Sequence, residues 1–163
     1  MNIALVAHDD RKQELIEWVR FNHQTLVKHN LFATGTTGRL IENIKMNERA
    51  SKDGICIEYD APFSGKVTKL LSGPLGGDQI IGGMIANGEI DMLIFFCDNL
   101  VTQGHQTDVA ALTRLASLYN IAFATNRTTA DMLITSPLME DENYVRVIPD
   151  CIERYKNRNV GVF

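Results

Sequence analysis

The chain has 163 residues, with 16 Lys plus Arg against 20 Asp plus Glu and a formal net charge of −4. That length suits one domain, residues 1–163, and lets a core form without disulfides or a structural metal. An acidic chain that is 45% hydrophobic and 22% charged argues against disorder, nucleic-acid binding and attachment to an anionic membrane.

Asn2 to Ala7 is an apolar run of the buried-strand type. It opens the chain without a basic leader, and no apolar stretch reaches the roughly 18 residues of a membrane span, so neither a signal peptide nor a span is expected. Asp9-Asp10 then starts a predicted helix to about His29, with Leu15, Trp18, Val19 and Leu26 at near-helical spacing. Leu31 to Thr34 is the second predicted strand, ended by Gly35-Thr36-Thr37-Gly38, and a helix follows from about Thr37. Met46 to Lys69 breaks the rhythm. Its charges cancel and it carries Ile55, Cys56, Ile57, Tyr59 and Phe63, so it is expected to be an inserted hairpin-like arm that packs on its own domain or on a neighbouring subunit.

Val67 to Leu71 is the third predicted strand of the main sheet, and Asp78 to Asn87 the next helix, with Gly88 as its stop signal. Met92 to Cys97 is the most strand-like run, followed by a loop from Asp98 to Gln106 and a helix from Thr107 to Asn120. Ile121 to Ala124 reads as a strand, Thr128 to Thr135 as a short helix and Val145 to Ile148 as a possible last strand. Alternating strands and helices predict an α/β fold: a single doubly wound, Rossmann-like, mostly parallel sheet of about five strands, with helices on both faces. The three cysteines, Cys56, Cys97 and Cys151, are far apart and read as reduced thiols of a cytosolic protein.

Such sheets bind ligands beyond the carboxyl ends of their strands, and the polar residues fall there as a set. His8, Asp9 and Lys12 follow the first strand, and Thr34 to Gly38 the second. Ser72, Gly73, Gly76, Gly77 and Asp78 follow the third, and Asp98 and His105 the fourth. Thr34-Gly35-Thr36-Thr37-Gly38 has the make-up of a phosphate loop, with close backbone approach, hydroxyl donors and a helix amino terminus. It is neither a P-loop nor a dinucleotide fingerprint. Ser72-Gly73 is a second donor site of the same kind. From Leu70 to Met139 there are six acidic residues and two basic ones, which suits a small bound anion, with Lys12 the nearest cation. Asp78 reads equally as a helix cap or as a base, and Asp98 and Asp108 carry the same two readings. His8 and His105 are alternatives for polarising a carbonyl. No metal is expected, since His8, Asp9, Asp98 and His105 lack ligand spacing.

Ile3-Ala-Leu-Val-Ala-His-Asp9, Ala33-Thr-Gly-Thr-Thr-Gly38, Leu71-Ser-Gly-Pro-Leu-Gly-Gly-Asp-Gln79, Asp91-Met-Leu-Ile-Phe-Phe96 and Pro149-Asp150 closely resemble the methylglyoxal synthase family. The resemblance implies conversion of dihydroxyacetone phosphate to methylglyoxal and inorganic phosphate. It implies no cofactor, a cytosolic homohexamer and inhibition by phosphate. It assigns the general base to Asp78 and the histidine at the substrate carbonyl and hydroxyl to His105. The family's His-Asp pair falls on His8 and Asp9, its phosphate ligands on Lys12, Thr34, Thr36, Thr37, Ser72 and Gly73, and its two further active-site aspartates on Asp98 and Asp108. A C-terminal arginine linked to phosphate and subunit contacts falls on Arg158, with Arg154 as rival. The first step, proton removal beside a carbonyl with a neutral imidazole at the oxyanion, is shared with triosephosphate isomerase. The other reading is a non-catalytic effector-binding domain of the same fold, as in carbamoyl phosphate synthetase, which needs the phosphate loop but not the base and electrophile.

Overall fold

The computed structural model describes residues 1–50, 57–100 and 106–158. The first strand and helices are β1 (Asn2–Ala7), α1 (Lys12–Phe21) and α2 (His23–Leu26), followed by β2 (Asn30–Ala33) and α3 (Gly35–Glu42). Next come β3 (Met46–Ala50), β4 (Ile57–Asp60), β5 (Val67–Lys69), α4 (Gly77–Ala86) and β6 (Met92–Phe96). The chain closes with α5 (Gln106–Leu118), β7 (Ala122–Ala124), α6 (Arg127–Ile134) and α7 (Asp150–Lys156).

Five strands form one parallel sheet in the order β5-β2-β1-β6-β7. Successive side chains of β1 go to opposite faces, as strand geometry requires. Ile3, Leu5 and Ala7 join a core with Leu15, Trp18 and Leu26 of α1 and α2, Ile41 of α3 and Ile134 of α6. Ala4 and Val6 join the other core, with Ile81 and Ile85 of α4 and Leu112 and Ala116 of α5. A strand buried on both faces needs an unbroken apolar run, which is why β1 and β6 are the most legible elements. Trp18 lies edge-on to Phe96 at 6.1 Å, and its indole N–H donates to the Asp131 carboxylate at 2.8 Å, tying α1 to α6.

The chain leaves β1 for β2 and β5 on one side, then crosses back to β6 and β7 on the other. Helices following β1 and β6 therefore pack on opposite faces, and the crevice between those two strand ends is the ligand position that the topology favours.

Two expectations need correction. The single helix expected up to His29 ends at Asn22, whose backbone N–H and side-chain amide both donate to the Trp18 carbonyl, at 3.0 and 2.9 Å, closing the helix. A four-residue turn, α2, follows. The strand expected at Val145–Ile148 does not form. Side chains hold that segment instead: Arg146 Nη1 donates to the Ile90 carbonyl at 3.1 Å and Asn120 Nδ2 to the Val147 carbonyl at 3.0 Å. Val145 and Val147 stay exposed.

The arm forms its own antiparallel ladder, β3 against β4, with a register shift between Met46 and Glu48. Ile55 and Cys56 lie outside the described residues. Beyond β4 the chain re-enters the domain through Phe63, fully buried in the core of α1 and α3. Phe63→Ala is expected to cost about 3–5 kcal/mol, the usual range for a buried aromatic cut to alanine. Urea unfolding would measure it, and a loss under about 1 kcal/mol would mean that the arm is not anchored there.

Candidate active site

A cleft of about 560 Å³ opens at the carboxyl ends of the strands. His8, Asp9 and Lys12 reach it from the segment after β1, Thr34 and Thr36 from the loop after β2, Ser72, Gly73 and Pro74 from the loop after β5. Asp78 of α4 and Asp108 of α5 complete its polar lining. A larger cavity of about 620 Å³ opens elsewhere, beside Met1, His29 and Arg146. Its cations Lys28 and Arg146 are already paired with Glu140 and Asp91. Burial, then the amino terminus and Lys28, hold its His29 below the usual imidazole range. Its lining sets the carboxylates of Asp91, Glu140, Asp141 and Glu142 against Lys28, Arg146 and the amino terminus, a poor seat for an anion, so size alone does not make it the reactive site.

His8 is buried and fixed from two sides. Its Nδ1 accepts the backbone N–H of Asp98 at 2.8 Å, and its ring meets Phe95 edge-on at 5.0 Å. A nitrogen that accepts from an amide carries no proton, so the ring is a neutral imidazole with its proton on Nε2. Nε2–H is thus the ring's donor. This bond spans the loops after β1 and β6, the two strands that flank the crevice.

Two hydroxyl loops stand side by side. Thr34 precedes α3 with φ −63° and ψ 150°, and Ser72 precedes a 3-10 turn, Gly73–Leu75, with φ −64° and ψ 150°. Each is an extended residue at the start of a helical turn, where N–H groups lack internal acceptors. Gly35 N–H donates to the Leu71 carbonyl at 3.2 Å and joins the loops. Lys12, in the first turn of α1, is the one lysine or arginine among the described residues of the lining, and it is ion-paired with Asp9.

Asp78 is only 2% exposed. Its position follows from the two glycines before it. Gly76 sits at φ +100°, in the left-handed region where a side chain is strained. At Gly77 a β-carbon would lie 2.1 Å from the Leu71 carbonyl oxygen. Only glycine lets the backbone come that close, and the approach sets Asp78 into the first turn of α4 beside the Ser72 loop. Burial, with Asp78 adding to it against the pull of Arg11, pushes the nearby Cys97 thiol up to about 11. Cys97 therefore stays protonated and is not a nucleophile at neutral pH.

Some expected site residues are elsewhere. Gly35 does not line the cleft, and its N–H donates to the Leu71 carbonyl. Thr37 is fully buried beneath it, where its Oγ1 accepts from Thr34 Oγ1 at 3.3 Å. Asp98 turns its carboxylate to the Leu100 N–H at 2.9 Å and meets His8 through its backbone. Arg158 stacks on Tyr155 at 3.8 Å and does not line the cleft. His105 lies outside the described residues. Phe95 is not among the expected site residues, yet it lines the cleft and packs edge-on against His8. Alternation along β6 puts positions 93, 95 and 97 on one face, and that was its only signal.

The MGS-like domain family matches residues 14–125. Methylglyoxal synthase of Maridesulfovibrio salexigens is 51% identical over 86% of this chain and 87% of its own. That of Proteus mirabilis is 50% identical over 91% of this chain and 86% of its own. The chain belongs to the methylglyoxal synthase family. The crystal structure of methylglyoxal synthase from Elizabethkingia anophelis NUHP1 superposes with a TM-score of 0.77 at 43% identity, covering 98% of this chain and 92% of that one. Methylglyoxal synthases are lyases.

Two glycines of α4 separate site geometry from helix propensity. Gly77→Ala should lower stability by about 1–3 kcal/mol through overpacking against the Leu71 carbonyl. Gly83 has nothing within 4 Å of its β-carbon position, so Gly83→Ala should be neutral or stabilising by up to about 1 kcal/mol. Urea unfolding of both variants checks the pair; equal effects would contradict the packing described at Gly77.

Proposed function

We propose that this chain converts dihydroxyacetone phosphate into methylglyoxal and inorganic phosphate. The observation that carries the reading is the company Asp78 keeps. A nearly inaccessible carboxylate shares one cleft with a neutral imidazole, a lysine and two hydroxyl loops. An effector-binding domain needs the lysine and the loops; it has no use for a buried base beside an imidazole.

In this proposal the phosphate rests on Lys12, on the hydroxyls of Thr34, Thr36 and Ser72 and on the N–H groups of Thr36 and Gly73. Asp78 removes a proton from the hydroxymethyl carbon, and the electron pair moves onto the carbonyl oxygen to give an ene-diolate. Nε2–H of His8 donates to that oxygen, with His105 as the second donor that the family resemblance supplies. Asp98 positions His8 through its backbone, and Asp108 accepts from the substrate hydroxyl. Asp108 then takes the proton of the hydroxyl on the former hydroxymethyl carbon, its oxygen forms a new C–O double bond, and the C–C π pair shifts to a new double bond at the phosphate-bearing carbon, displacing the electron pair of the bridging bond. The bridging C–O bond breaks, phosphate leaves with those electrons, and the enol that remains takes a proton at its terminal carbon to become methylglyoxal. Holding the phosphate on fixed donors keeps the breaking bond aligned with the π-system, an orientation effect of the kind that can supply much of a barrier.

The same reading carries a cytoplasmic setting, a bypass of lower glycolysis, a homohexamer and inhibition by product phosphate, with Arg158 or Arg154 at a subunit contact. Val145, Val147 and Tyr155, apolar and exposed in the single chain, support assembly. Among the described residues no helix is long and apolar enough to cross a membrane.

Elimination breaks C–O, whereas phosphate hydrolysis usually breaks P–O. Turnover in oxygen-18 water should release phosphate with no solvent label, together with methylglyoxal. Labelled phosphate with dihydroxyacetone as product would replace the lyase by a phosphatase.

A further inference from the structure

Among its described residues, the cleft assigned above to a phosphate dianion holds three carboxylates, those of Asp9, Asp78 and Asp108. Asp78 has work in proton transfer and Asp108 beside the substrate hydroxyl. Asp9 has neither, and a carboxylate at that position repels phosphate. What it does hold is Lys12, by an ion pair across one turn at the start of α1. The two members of the pair are unequal. The Lys12 side chain is 20% exposed and that of Asp9 is 89% exposed. The lysine is packed at the wall of the cleft, while the aspartate side chain is largely exposed.

We propose that Asp9 is a counter-ion that competes with phosphate for Lys12, and that this competition sets how readily phosphate leaves. The proposal rests on the phosphate-site reading given above. Asp9 is then not a phosphate ligand but a positioning residue that acts through the lysine. When the phosphate of the substrate enters, Lys12 turns from the Asp9 carboxylate to the dianion, and no bond to the reacting carbons is involved. After elimination the free phosphate dianion keeps the same contact, and Asp9 takes the lysine back. An exposed pair is the suitable strength for this exchange. A buried one would hold Lys12 so firmly that substrate could not claim it.

The test is calorimetric binding of inorganic phosphate to the intact protein, its Asp9→Asn, Asp9→Glu and Lys12→Met variants and the Asp9→Asn/Lys12→Met double variant. Asp9→Asn should bind phosphate about two- to fivefold more tightly than wild type, the range for an exposed ion pair. The gain should shrink at high salt. Asp9→Glu keeps the charge and should return to the wild-type value, which a merely structural role for Asp9 would not predict. In the Lys12→Met background the Asn change should have no effect. In turnover, Asp9→Asn should lower the inhibition constant for phosphate and the KM together. If Lys12→Met weakens phosphate but Asp9→Asn leaves it unchanged or weaker, the counter-ion role is wrong while the phosphate site stands. If Lys12→Met leaves phosphate affinity unchanged, the phosphate site itself is wrong and the counter-ion role falls with it.

Discussion

There is no room for a β-carbon at Gly77, and the site depends on that. The first turn of α4 lies against the Leu71 carbonyl so closely that any side chain would meet it at 2.1 Å. The same carbonyl accepts the Gly35 N–H, and the Ser72 carbonyl accepts the N–H of Leu75 at 2.9 Å and of Gly77 at 3.0 Å. One short stretch of backbone thus locks three parts together: the hydroxyl loop after β2, the hydroxyl loop after β5 and the turn that carries Asp78. A base and an anion cradle built on the same backbone bonds keep their separation when the ligand changes, which is the kind of pre-organisation that catalysis needs.

The electrostatics follow from that rigidity. A dianion could be met by many cations, but arginines and lysines packed around it would bind the phosphate product as well as the substrate. Among the described residues the lining has one lysine, already shared with Asp9, and otherwise uncharged donors. Uncharged donors hold a phosphate by direction rather than by net charge. His8 obeys the same logic. The Asp98 N–H fixes it as a neutral donor, so it can stabilise a developing oxyanion without adding a full charge to the cleft.

Much of this was legible in the sequence, and for identifiable reasons. β1 and β6 are buried on both faces and so read as unbroken apolar runs; the loops after the strands carry the polar residues, and topology then gathers them. The helix expected up to His29 was too long because the stop at Asn22 comes from side-chain bonding to the Trp18 carbonyl, not from a glycine or proline. Val145–Ile148 has the composition of a strand but meets side chains instead of a ladder. At the site, the residues expected from their types largely gather on one cleft, but residue type does not say which part of the residue makes the bond. Asp98 acts on His8 through its amide, and Gly35 spends its N–H on the neighbouring loop. No pattern of side-chain types reveals either bond. Phe95 was hidden for the opposite reason, being one apolar residue in a run of them.

The central claim is that buried Asp78 is the base, while the phosphate is held by other groups. Asp78→Asn is nearly isosteric and keeps the Gly76-Gly77 approach, but cannot take the proton. The direct measurement is turnover of dihydroxyacetone phosphate by Asp78→Asn, set beside calorimetric affinity for inorganic phosphate in the same preparation. The expected result is a loss of about 10²–10⁴-fold in kcat with phosphate affinity within about threefold of wild type, under ~1 kcal/mol. Near-normal turnover would reduce Asp78 to a helix-start carboxylate and move the proton transfer to another group.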